Sequence, residues 1–410
     1  MDEKMIVRSI TYTINFNKLD DKSYLQYVES NLLNIKNKFI KNKIKIRTMR
    51  FNIIAIDEFE KDELFTKIDK LSEFSKQLGL RWFNLSFNLI NKLNTEINVI
   101  SDIAYKILKL YDNAFINFIV AENFINNYAV IKSSELIKKI SYLNSNGIDN
   151  FRFGVSLNVK ANTSFFPFSY SNKNDSFSLA IETTQKVVSI IKKTFENDYI
   201  QLKKNIIEGI KDDLLLFENI SNSIVIDLDI DYNGQDISLS PYPDENVSVI
   251  EILNLLGVKY FGSNGTQFMT SYLTSILKDT INQYSLKSIG FNGVMYSMLE
   301  DKLMCQANDD KNFSIDSIIL YSTVCGCGLD MVPLPDITSK EEIASMILDV
   351  ATTAIKIDKP LGVRVLPIPD KNISDTTNLK LDFLTNTNIP EIKNISINKS
   401  LFKINKFYIK

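Results

Sequence analysis

The chain has 410 residues, 45% hydrophobic and 23% charged, with 13 Gly and 9 Pro, a composition that buries a large core and fits one large α/β domain or roughly two to three average ones. Its 47 Lys+Arg against 49 Asp+Glu leave a formal net charge of -2, so no overall basic field recruits nucleic acid. There is no histidine, which excludes Ser-His-Asp and Cys-His mechanisms, His-ligated zinc or haem, and imidazole switches.

Acid-base chemistry therefore falls to Asp, Glu, Lys, Tyr or Cys. The three cysteines, Cys305, Cys325 and Cys327, fit a reducing compartment better than a disulfide scaffold. No segment approaches the roughly 20 apolar residues of a membrane span, and MDEKMIVRS at the start does not read as a signal peptide. The expectation is a cytoplasmic protein without membrane attachment. The local basic stretch 36–50 is the one candidate for nucleic-acid binding, which the acidic balance disfavours.

Alternating apolar positions predict a strand over 6–15, and the spacing of Leu25, Val28, Leu32 and Phe39 predicts a helix over 22–39. The alternation repeats as strand 43–54, helix 61–78, strand 82–89, helix 95–110, strand 117–121, helix 133–143 and strand 151–159. After a loop, 175–197 and 199–218 read as helices and 223–230 as a strand. Helices follow at 248–256, 265–279 and 297–306, with apolar segments at 288–291 and 315–322 between them. Thr338 precedes Glu341 at capping-box spacing, so 338–355 is a helix; 361–368 is the last strand, and the Asn-rich tail from Asn372 is irregular. Some nine or ten strands alternating with helices predict an α/β fold with a largely parallel sheet, closed as a barrel or open and doubly wound. One domain over 1–410 is expected, with 1–160 and 161–410 as its possible halves.

Candidate chemistry clusters in five places. The aromatic loop NVKANTSFFPFSY at 158–170 follows a strand, and loops leaving the C-terminal ends of parallel strands form pockets, so Asn158 and Phe166 are candidate ligand contacts. In IVIDLDIDYNG, Asp227, Asp229 and Asp231 recur at every second position, which on a strand puts three carboxylates on one face as a candidate divalent-metal site. The EF-hand spacing fails there, because Ser240 stands where a Glu is required. FGSNGT precedes an amphipathic helix, so the turn at Gly265 and Thr266 can aim N–H groups at an anion, although it lacks a P-loop lysine. YSTVCGCGLDMVPLP places glycines beside Cys325, a candidate nucleophile, and Asp330; packing of the cysteines as small apolar residues is the alternative. Arg364, in IDKPLGVRVLPIP, offers a cationic group for a carboxylate or phosphate.

With those segments in view, the chain resembles the family called domain-of-unknown-function 711 and, more distantly, bacterial proteins with a pyruvate formate-lyase-like barrel. The resemblance is carried by VRSIT at 7–11, the 158–170 loop, GQDISLSPYPDE at 234–245, FGSNGT, GFNGVMYSMLED at 290–301, VCGCGLDMVPLP and DKPLGVRVLPIP. It implies a barrel of about ten strands wrapped by helices, assembled as a homo-oligomer, with no settled reaction. VCGCG resembles a radical-glycine motif only superficially, so radical chemistry is not expected.

The function expected is a non-radical enzyme holding a small anionic metabolite in a barrel pocket. Asn158, Phe166, Asp236, Ser238, Gly265, Thr266 and Arg364 would bind the ligand. Cys325, Asp330, Glu300 and Asp301 would supply chemistry. The alternative is a non-catalytic ligand-binding or assembly protein on the same fold.

Overall fold

The computed structural model describes residues 4–243, 247–393 and 399–409. Asp244 and Glu245, which end the GQDISLSPYPDE motif, lie outside the described residues. The first elements follow the hydrophobic periodicity: β1 (Ile6–Thr13), α1 (Lys22–Lys41), β2 (Ile46–Asn52), α2 (Lys61–Gln77), β3 (Phe83–Asn88), α3 (Asn94–Leu110), β4 (Ala114–Ala121), a short β5 (Ile125–Asn126), α4 (Asn127–Ser141) and β6 (Phe153–Leu157). Asp21 caps α1, accepting the N–H groups of Ser23 and Tyr24, and α1 buries Tyr24, Val28, Leu32, Ile35 and Phe39 along one stripe. Helix α4 starts at Asn127 rather than Ser133 because the Asn126 side chain accepts the Ala129 N–H.

The second part contains β7 (Ser176–Glu182), α5 (Thr184–Thr194), α6 (Tyr199–Leu228), β8 (Asp231–Asp236), α7 (Val249–Leu255), α8 (Thr266–Gln283), α9 (Lys302–Asp309), α10 (Ile315–Tyr321), β9 (Gly328–Pro335), α11 (Lys340–Lys356), β10 (Leu361–Ile368) and β11 (Lys406–Phe407). Several expectations are corrected here. The helix expected over 175–197 is β7 followed by α5, because Phe177, Leu179 and Ile181 alternate in a strand paired on both sides. The strand expected over 223–230 is the last part of α6: Ile220, Ser221 and Ile224 are buried at helical spacing, whereas Ile226 is 82% exposed. The apolar segment 315–322 is α10, and Gly328–Pro335, for which no strand was expected, forms β9. The helix expected over 297–306 breaks at Asp301 into the 3-10 turn Met298–Glu300 and α9. The capping box of α11 joins Ser339 to Glu342, one residue beyond Thr338 and Glu341.

The break at 228 removes the three-carboxylate face. Asp227 lies on α6 and pairs with Lys38, Asp229 ends the helix at φ 51°, and Asp231 opens β8 and pairs with Lys173. Among the described residues no group of three or more Cys, Asp or Glu side chains is placed to hold a metal ion.

The strands form one mixed, mostly parallel sheet in the order β8, β7, β1, β2, β3, β4, β6, β10, β9, with β5 and β11 appended to β4. β1, β2, β3, β4 and β6 are parallel; β7 and β8 run antiparallel to β1, and β10 and β9 antiparallel to β6. Strands from both sides of residue 160 thus hydrogen-bond in one sheet. The outer strands β8 and β9 both meet the extended segment 287–297, through the parallel bridges Gln235 to Ser288, Leu239 to Val294 and Ser297 to Asp330.

One face of this sheet is polar and carries the 158–171 loop. Ser169 O accepts from Asn84 Nδ2 and, at 2.8 Å, from Ser86 Oγ, while Asn52 Nδ2 donates to Ser169 Oγ at 3.0 Å. The Phe168 ring lies against Gly154 of β6 and Gly362 of β10; a Cβ on Gly154 would sit 2.4 Å from Pro167 Cγ and 2.7 Å from the ring, and one on Gly362 2.5 Å from the ring. Those two positions tolerate no side chain while the loop is seated.

Candidate functional site

A cavity of about 340 Å³ opens where the N-terminal ends of β1 to β4 meet the tip of this loop. The sequence placed the pocket at the C-terminal ends of these strands; the loop leaves β6 at that end but carries Phe165, Phe166 and Phe168 back along the polar face of the sheet to the opposite end. Arg8 stands at the bulge in β1, Arg47 and Arg50 on β2, Arg81 and Trp82 just before β3, and Phe115 at the start of β4. Ser240 to Tyr242 follow β8, Ser297 and Glu300 end the bridging segment, Asp330 and Arg364 lie on β9 and β10, and Phe383 comes from the tail.

Two of the arginines belong to a closed ionic chain. Arg364 donates to both oxygens of Asp330, at 2.7 and 2.9 Å, and through Nη2 to Glu300 Oε1 at 3.0 Å. Arg8 Nη2 donates to Glu300 Oε2 at 3.3 Å. Burial alone would pull the Arg364 guanidinium down, but Asp330 and Glu300 hold it above its ordinary value. Arg47 is paired with Glu182 and lies over the Tyr242 ring.

Arg50 differs from these. It is buried, lies 4.2 Å above the Phe166 ring, and donates to Ser9 Oγ at 2.8 Å, Ser164 O at 2.6 Å and Thr11 Oγ1 at 3.4 Å, all neutral oxygens. Among the described residues no carboxylate pairs with it. Burial, with a smaller contribution from the Arg8 charge, pushes its guanidinium down to about 9 against the attraction of the Glu300 carboxylate, which does not pair with it. Ser297, 3% exposed, lines the same cavity, and its Oγ has no hydrogen-bond partner among the described residues.

Of the residues singled out by sequence, Phe166, Glu300, Asp330 and Arg364 come together here. The others do not line this cavity. Asp301 is buried and caps two helices at once, accepting from Ser248 Oγ and the Val249 and Ile250 N–H groups on α7 and from Leu303 and Met304 on α9. Asp236 accepts from Ser238 N and Oγ and from the Phe291 and Asn292 N–H groups, fastening the bridging segment to β8. Burial pushes both carboxyls up, against the hydrogen bonds they accept. Ser238 Oγ also accepts the Gly293 N–H. Asn158 Nδ2 donates to Asp358. Gly265 and Thr266 start α8, where Thr266 Oγ1 donates to Ser263 O and accepts the Gly262 N–H.

Cys325 and Cys327 are fully buried away from the cavity. The Tyr296 N–H donates to Cys327 Sγ at 3.1 Å. A hydrogen bond from Cys327 and the nearby Lys359 ammonium hold Cys325 below the usual thiol range, while Cys327 is raised.

Arg8, Arg50, Arg81, Trp82 and Ser297 are cavity residues that the sequence reading missed. The signal for Arg50 was present in β2, where Thr48, Arg50 and Asn52 make one phase polar while Met49 and Phe51 occupy the other. It was hidden because 36–50 reads as a continuous basic run, whereas the structure divides that run between α1 and β2.

The architecture defines a mixed α/β protein with an arginine-lined cavity at one end of a loop-filled sheet. The chain belongs to the family described as Uncharacterised ACR (DUF711), whose model matches residues 1–380. It is similar to the UPF0210 protein of Pyrobaculum aerophilum, 27% identical over 258 residues, which are 62% of this chain and 56% of that protein. It is also similar to the UPF0210 proteins of Lacticaseibacillus casei, 32% identical over 149 residues (36% of this chain, 32% of that one), and Methanococcus aeolicus, 30% over 158 (38% and 34%). The chain spans about half the length of the Pyrobaculum relatives it matches.

Proposed function

We propose that the cavity binds a small organic anion and that the protein is a non-radical enzyme acting on it. Arg50 carries this reading. An unpaired guanidinium buried among neutral oxygens is unfavourable unless an anion joins it, and the aromatic walls beside it suit the apolar part of an organic ligand. With no imidazole in the chain, proton transfer falls to the cavity carboxylates. Asp330 is 3% exposed and doubly held by Arg364; Glu300, at 13%, is the more open and is the proton-transferring group in this reading.

In the same reading the sheet closes into a pyruvate formate-lyase-like barrel through 287–297, with the 158–171 loop inside it. Support comes from the two sets of bridges that this segment makes and from Phe168 touching both β6 and β10. The three buried free cysteines support a cytoplasmic setting.

The test is calorimetric titration of benzoate into wild type and Arg50→Met, with turnover followed by mass spectrometry of a metabolite extract. Arg50→Met is expected to fold with equal or greater stability and to lose binding. Glu300→Gln is expected to bind anions yet leave unconsumed the extract component that wild type consumes. Equal binding by Arg50→Met would overturn the anion site, and consumption by Glu300→Gln would overturn the role of Glu300.

A further inference from the structure

The charges in this cavity are unequally matched, and the mismatch specifies the ligand. Arg8, Arg364, Glu300 and Asp330 neutralise one another, and Arg47 is paired with Glu182. Among the described residues the buried Arg50 has no ion pair, and neither does the exposed Arg81, whose guanidinium lies 4.2 Å from the Trp82 ring and 4.8 Å from that of Phe383.

These two cations sit at the two ends of a continuous aromatic wall. Arg50 rests on Phe166, whose ring centroid is 5.6 Å from Phe115; Phe115 is 5.2 Å from Trp82, on which Arg81 rests. On Arg50, Nε and Nη2 donate to Thr11, Ser9 and Ser164, which leaves the Nη1 donors for a carboxylate oxygen, and stacking on a ring leaves the planar edge of Arg81 to match a carboxylate. Between the two ends the wall offers ring faces and edges, which favour a flat apolar body, and the unpartnered Ser297 Oγ adds one polar contact.

We infer that the ligand is a flat, unsaturated or aromatic dicarboxylate, with one carboxylate on Arg50, the other on Arg81 and its body along Phe166, Phe115 and Trp82. This rests on the anion-binding reading above and narrows it. The binding free energy gained from the second charge-assisted contact corresponds to about tenfold in affinity.

Benzoate, benzene-1,4-dicarboxylate, hexanedioate and inorganic phosphate are titrated into wild type, Arg81→Ala, Arg81→Lys and Arg50→Met. Wild type is expected to bind the aromatic dicarboxylate about tenfold more tightly than benzoate, and more tightly than the flexible hexanedioate. Arg81→Ala is expected to reduce dicarboxylate affinity to that of benzoate, and Arg81→Lys to restore part of the difference. Equal binding of benzoate and the dicarboxylate to wild type, or no effect of Arg81→Ala, would overturn the inference while leaving the anion site standing, provided Arg50→Met abolishes benzoate binding. Tighter binding of phosphate than of either benzoate or the dicarboxylate would overturn the carboxylate assignment. Failure of every anion to bind wild type would overturn both readings.

Discussion

Arg364 and Asp330 face each other in register on the adjacent parallel strands β10 and β9, joined by two hydrogen bonds of 2.7 and 2.9 Å. Both side chains are nearly inaccessible, at 5% and 3%. Removing one partner leaves a buried charge, so Asp330→Ala is expected to cost about 3–5 kcal/mol. The paired replacement Asp330→Leu with Arg364→Met is expected to cost less than the sum of its single changes. Urea unfolding of Asp330→Ala, the two single changes and the paired replacement checks this; additive losses would show that the two residues do not act as a pair.

Seating of the 158–171 loop makes a second, independent expectation. Gly154→Ala and Gly362→Ala each bring a Cβ onto the Phe168 ring, and each is expected to destabilise by about 1–3 kcal/mol. Phe168→Leu in either background should recover part of the loss. Unfolding midpoints unchanged by both alanine substitutions would mean that the ring does not occupy that space.

Asp301 joins α7 to α9 through one carboxylate, so Asp301→Ala is expected to cost about 2–4 kcal/mol, more than one lost cap. The pH dependence has a definite sign. Burial raises the folded-state value of Asp301 above its unfolded value, so the contribution from this shift is fully present below the unfolded value and lost as pH rises through the raised one. The penalty of Asp301→Asn, which imitates the protonated form, should therefore shrink as pH rises through that window, as followed by thermal unfolding. A penalty that grows with pH would contradict it.

Cys325 works in the opposite direction. Cys327 and Lys359 hold its thiol below the ordinary value, so the stability this adds is present above the unfolded value and is lost as pH falls through the lowered one. The ultraviolet absorbance of the thiolate should titrate below the usual thiol range in wild type and vanish in Cys325→Ser. Because Cys325 does not line the cavity, that variant should retain benzoate binding. Loss of binding in a normally folded Cys325→Ser would contradict the placement.

The α/β alternation over 1–160 was legible because each strand and helix there keeps its own hydrophobic period. It failed where the signal was ambiguous. In β7, Phe177, Leu179 and Ile181 run directly into the apolar stripe of α5, and the β-branched SIVI of α6 imitates a strand until burial of Ile224 and exposure of Ile226 fix the helical phase. Phe166, Glu300, Asp330 and Arg364 were found from local motifs. Arg8, Arg50 and Arg81 were not, because what distinguishes them is the partner each has or lacks: Arg8 meets Ser240, Pro241 and Glu300, Arg50 meets β1 and the 158–171 loop, and Arg81 meets Phe383 of the tail.

Arg50 is expected to receive an anion in the cavity, and a crystal structure of the complex with 4-bromobenzoate, the bromine located by anomalous scattering, is the measurement that decides it. The carboxylate is expected against the Arg50 guanidinium and the bromine along the Phe166, Phe115 and Trp82 wall. A carboxylate bound elsewhere, with Arg50 still joined only to Ser9, Thr11 and Ser164, would contradict it.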